Sequence, residues 1–149
     1  ITNYCQAGGN FFVSGAYVAS DLWDNRLVKA NEEDKKFAME VLKYKWRVGQ
    51  AARNGKVKSV ASPFPEITGS YTYYQDLNPE SYVVESPDAL EPAAQGAFTI
   101  LRYSENNLSA GIAYKGNYKT CVLGFPFEAI RTVTERELLM KAILTFFEH

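Results

Sequence analysis

Hydrophobic and polar positions divide the chain into three stretches of different rhythm. Residues 1–7, "ITNYCQA", read as the last turns of a helix, and Gly8-Gly9 supplies its stop and a turn. "NFFVSG" follows as a short buried strand. "AYVASDLWDN" leaves that strand as a loop or a new helix start, with Ser20 or Asp21 as the cap. From Asn31 to Val48, Phe37, Val41, Tyr44 and Val48 recur at helical spacing, with Lys35, Lys36, Lys43 and Lys45 mostly off that face, so a helix is predicted. "RNGK", residues 53–56, is a turn signal. It is compatible with a hairpin between "RVGQAA" and "VKSVAS", which leaves the helix end open.

The middle stretch, "SPFPEITGSYTYYQDLNPESYVVESPDALEPAAQGA", is rich in Pro and Tyr. It predicts a long excursion with little regular structure and one short strand at "YVVES". The last stretch is regular. "AFTILRYS", "LSAGIAYKG" and "KTCVLGF" alternate as strands around the turns "ENN" and "GNY", predicting a three-stranded antiparallel meander. A closing helix follows, with Thr134 and Glu137 as a capping box and Leu139, Ala142, Ile143 and Phe146 as its apolar stripe.

Composition narrows the classes of function. A length of 149 residues predicts one domain over 1–149, and 46% hydrophobic residues can build its core. Because the chain opens on Ile1 inside a helix end, it is expected to be part of a larger protein. A formal net charge of −1 gives no basic field for nucleic acid. No apolar run reaches the length of a membrane span. The only histidine is His149, the last residue, so neither a Ser-His-Asp machine nor a histidine-ligated zinc site is supported. No metal or other cofactor is expected. Cys5 and Cys121 have no CxxC spacing and read as buried thiols, with a disulfide between them left open.

Two segments carry a resemblance. "GGNFFVSGAY" resembles the strand and turn that hold the nucleophile in class I glutamine amidotransferase-like domains. "LGFPFE" resembles that family's later Phe-His-Pro-Glu segment. Together with "SDLW", "RY…AGIAY" and the closing helix, the pattern looks most like such domains in secreted bacterial proteins that carry the name xanthan lyase. The resemblance implies a three-layer α/β sandwich of flavodoxin-like type, with the C-terminal meander and closing helix, and a secreted, periplasmic or cell-surface setting. The catalytic motif is defective on transfer. Over "SGAYV", Ser14, Ala16 and Val18 take the Gly, Cys and Gly positions; a shift of one or two residues puts Gly15 or Ser14 at the tip, and no register gives cysteine. Pro126 stands where histidine should be, Phe127 replaces the proline, and Glu128 matches the glutamate. Amidotransferase activity is therefore not expected.

The candidate catalytic residues are Glu128 and Ser14, each also readable as a structural side chain. Asp21 and Asp24 around Trp23, with Tyr17, are candidate ligand-binding residues, because carboxylates beside aromatic platforms suit sugars. Arg102 and Tyr103 form a second pair, since polysaccharide lyases commonly combine a tyrosine base with an arginine. Tyr71, Tyr73, Tyr74 and Tyr82 are readable as loop packing or as part of such a site. Two functions follow as expectations: a non-catalytic accessory or interaction module of a larger polysaccharide-degrading protein, or a carbohydrate-active lyase. Expected partners are the other domains of that protein and a polysaccharide.

Overall fold

The computed structural model describes residues 1–23, 31–77, 79 and 81–149. A short helix, α1 (Thr2–Gln6), leads into strand β1 (Phe11–Ser14). Helix α2 (Glu32–Phe37) continues into a π-helical turn (Ala38–Leu42) and is followed by β2 (Tyr44–Val48). Next come β3 (Lys56–Ser59), β4 (Ser70–Thr72) and β5 (Ala89–Pro92). The meander is β6 (Ala97–Tyr103), β7 (Ser109–Lys115) and β8 (Lys119–Leu123), and α3 (Val133–Glu148) closes the chain.

The strands form a six-stranded sheet in the order β1-β8-β7-β6-β3-β4 and a two-stranded sheet of β2 and β5. β1 and β8 are parallel, while every other neighbouring pair is antiparallel. This overturns the expected three-layer, flavodoxin-like α/β sandwich. Parallel strands need long crossover connections. The chain from β6 to β8 instead turns back through short loops, so the architecture is dominated by antiparallel strands with one long helix, α3.

The meander stands as the alternation predicts. On β8, Cys121 and Leu123 face one core with Ala113, Ile100, Tyr103 and the α3 stripe Leu139, Ala142, Ile143 and Phe146. Val122 faces the other, with Ile112, Leu42, Tyr44 and Leu90. Because successive side chains point to opposite faces, both sides of the inner strands are covered. The cap of α3 lies two residues before the expected one: Thr132 accepts from the Glu135 amide at 3.1 Å.

Three expectations ahead of the meander change. Asn31 caps a helix, in a reciprocal box with Asp34. That helix stops at Lys43, which adopts a left-handed conformation (φ 69°), and Tyr44–Val48 is a strand. The tertiary structure claims the helix end. The Tyr118 hydroxyl donates to the carbonyls of Glu40 (3.1 Å) and Val41 (2.9 Å), and the Thr120 hydroxyl to that of Leu42 (3.2 Å). These acceptors would otherwise be orphans. The turn at Asn54-Gly55 joins no hairpin of β2 with β3, since β2 pairs with β5 and β3 with β4 and β6. Gly55 has φ +61°, and a Cβ there would sit 2.4 Å from the Tyr73 carbonyl oxygen. Residues 82–86 form no strand; the strand lies later, at β5. Cys5 and Cys121 are buried and free.

Candidate functional site

The sole parallel pair among the described strands, β1 and β8, ends at a shared corner, and "LGFPFE" turns there. Ser14, the last residue of β1, accepts the Phe127 amide at 3.2 Å through its hydroxyl. Phe125 is fully buried and stacks on Tyr73, with centroids 5.0 Å apart. Phe127 meets Phe12 edge-on at 6.1 Å. Gly124 is required by close approach. Its carbonyl accepts the Asp88 amide at 2.6 Å, and a Cβ on it would lie 2.0 Å from the Asp88 carbonyl oxygen.

Asp88 is the residue that sequence reasoning missed. It sits just before β5 and its side chain is fully buried. One carboxylate oxygen accepts from the Ala19 and Ser20 amides, each at 3.0 Å, and from the Ser20 hydroxyl at 3.3 Å. The other accepts the Trp46 indole N–H at 3.0 Å. Four donors on an acceptor-only group favour the ionised form. Burial opposes it more strongly, and the balance lifts the carboxyl to about 6. The carboxylate thus joins the loop after β1 to β2 and β5. A sequence signal existed: a tryptophan in a sheet needs an acceptor for its N–H, and "SPDAL" places a lone acid beside apolar residues.

The other predicted residues do not gather into one cleft. Tyr103 is fully buried, and its hydroxyl donates to the carbonyls of Asp88 (2.7 Å) and Gly124 (3.3 Å). Burial, with Tyr73 and Asp88 nearby, raises its hydroxyl well above the ordinary range. Arg102 points to the opposite face, and its guanidinium donates to the Asn107 carbonyl at 2.7 Å. The exposed Tyr17 and Asp21 lie on the turn after β1, where the Asp21 amide donates to the Tyr17 carbonyl at 2.9 Å. Trp23 is half-buried against the core behind Val122. Asp24 lies outside the described residues. Tyr71 and Tyr73 are core residues; the Tyr73 hydroxyl is buried with no hydrogen-bond partner among the described residues.

Glu128 faces solvent, beyond the corner. It accepts the Tyr82 hydroxyl at 2.7 Å. Partial burial and this bond push the Tyr82 hydroxyl up. Nearby, the Arg131 guanidinium lies 5.0 Å from the Tyr74 ring and pairs with Asp76. The segment is held down by main-chain bonds: Tyr74 amide to Ala129 carbonyl (3.1 Å) and Arg131 amide to Thr72 carbonyl (2.7 Å).

No group of three or more metal-ligating side chains occurs among the described residues. Nor is any helix among them long and apolar enough to cross a membrane.

No family model and no curated protein matches the chain. Among solved structures it is similar to the cold-adapted β-galactosidase from Rahnella sp. R3, with a TM-score of 0.60 and 14% identity. The match covers 99% of this chain and 20% of that one, so the chain spans about a fifth of its neighbour's length. At this identity the likeness is one of fold. It pairs the chain with part of a β-galactosidase, and the amidotransferase-like α/β framing gains no support from it.

Proposed function

We propose that the chain is a non-catalytic accessory or interaction module of a larger protein that acts on carbohydrate. One observation carries this reading: at the corner where chemistry was expected, the polar side chains are taken up by the chain's own backbone and side-chain groups. Ser14 accepts a main-chain amide, Tyr103 donates to two carbonyls, and Asp88 takes four donors. A nucleophile needs a base within hydrogen-bond reach, and Ser14 has none in these contacts. The carbohydrate setting rests on the fold shared with part of a β-galactosidase.

One form of the lyase reading has Tyr103 and Arg102 act together. Tyr103 is sealed in the core, and neighbours on a strand point apart, which weighs against it. The test is direct. The protein is incubated with xanthan while unsaturated-uronate absorbance is followed, and with a chromogenic β-galactoside in parallel. Neither signal is expected. Turnover that disappears in Glu128→Gln or Tyr103→Phe would overturn the module reading.

A further inference from the structure

Beyond β8, the exposed Tyr82 and Glu128 lie outside the contacts on which the module reading rests. We propose that Tyr82, Glu128, Tyr74 and Arg131 form a contact surface for a neutral pyranose unit of a glycan. The cluster is preorganised. Tyr82 is 52% exposed and its hydroxyl donates to Glu128 at 2.7 Å, so the ring offers a face to solvent beside a carboxylate. The loop beneath is fixed by the Val84 amide on the Tyr74 carbonyl (3.0 Å) and the Gln75 side-chain amide on the Val84 carbonyl (2.6 Å).

The chemistry fits a sugar. A pyranose presents an apolar C–H face, which an aromatic ring covers, and a rim of hydroxyls, which a carboxylate accepts from. Glu128 uses one oxygen on Tyr82 and has acceptor capacity beyond that bond. The charges decide which sugar. Arg131 is stacked on Tyr74 and paired with Asp76, so its charge is answered. Glu128 then leaves the patch net negative, which disfavours a uronate and favours an uncharged hexose.

The proposal rests on the carbohydrate setting of that reading but is separable from its non-catalytic part, which survives if no sugar binds here. The test is an NMR titration of the isotopically labelled protein with two probes, cellotetraose and tetragalacturonate. Millimolar binding, roughly 4 kcal/mol, is expected for cellotetraose. Shifts should centre on Tyr82, Glu128 and Arg131, with little response to tetragalacturonate. Tyr82→Ala should weaken cellotetraose binding at least about tenfold. Tyr82→Phe, which keeps the ring but frees it, should give a smaller loss. Since Tyr82 is at the surface, unchanged melting of both variants separates lost binding from lost folding. No cellotetraose shifts at about 10 mM, a concentration that nearly saturates a millimolar site, would overturn the proposal. Binding unaffected by Tyr82→Ala, or tetragalacturonate binding as well as cellotetraose, would do the same.

Discussion

Two carboxylates lie near the end of β8, and their surroundings differ in nearly every respect. Asp88 is fully buried, takes four hydrogen bonds and holds three segments together. Glu128, on the turn after β8, is exposed and takes the hydroxyl of one surface tyrosine. The first is an internal strut, since each of its bonds would be missed if it left. The second is available to something outside the chain. Proximity to a strand end did not distinguish them; the supply of donors did.

The sharpest way to break this contrast is to remove each carboxylate's function in turn. Asp88→Ala leaves two amides, a hydroxyl and an indole N–H without their acceptor, and a loss of about 3–5 kcal/mol in denaturant-unfolding stability is expected. A loss under about 1 kcal/mol would mean the strut is ornamental.

The next effect is on pH. The folded carboxyl of Asp88 is lifted from 3.8 to about 6, so the folded state binds more protons than the unfolded chain between those values. This group's stabilisation is complete below pH 3.8 and lost as pH rises through about 6, a change of about 3 kcal/mol at 1.36 kcal/mol per pH unit. Unfolding curves from pH 3 to 8 should show this decline relative to Asp88→Asn, which lacks the titration. Parallel curves for the two proteins would remove Asp88 as its source.

Two buried tyrosines sharpen the comparison inside the core. Tyr103→Phe deletes a hydroxyl that serves two carbonyls and should cost about 1–2 kcal/mol. Tyr73→Phe deletes one with no partner among the described residues, so its melting temperature should hold or rise. At the surface, Tyr82→Phe is expected to change stability by less than about 0.5 kcal/mol, as exposed substitutions usually do. A larger loss would place Tyr82 and Glu128 among the structural contacts and erase the contrast.

What was legible in the sequence follows the range of the interactions. The meander β6 to β8 and the α3 stripe were readable because alternation, turns and helical spacing are local signals. The strand order was not. β2 finds its partner in β5, across a long intervening segment, and the spacing Phe37, Val41, Tyr44 looked helical past the point where Lys43 turns left-handed. The expected flavodoxin-like sandwich failed for a related reason. A parallel pair exists, but the strands between its members fold back on one another instead of crossing over through helices. At the site, the positions of Ser14 and Glu128 at the β1/β8 end followed from the strands, whereas Asp88 depended on donors from Ala19, Ser20 and Trp46, residues far away in sequence.

The pairing of β1 with β8 also sets a timetable. The Asn10 side chain accepts the Lys119 amide across 109 residues, and the adjoining strand ladder spans the same distance. At ribosomal rates of about 5–20 residues per second, β1 would wait roughly 5–20 s for β8 to be made. Through that interval "NFFVS" is an apolar edge without its ladder, the kind of segment that invites the wrong neighbour. Cellular yield of this protein should therefore depend on how quickly β8 arrives.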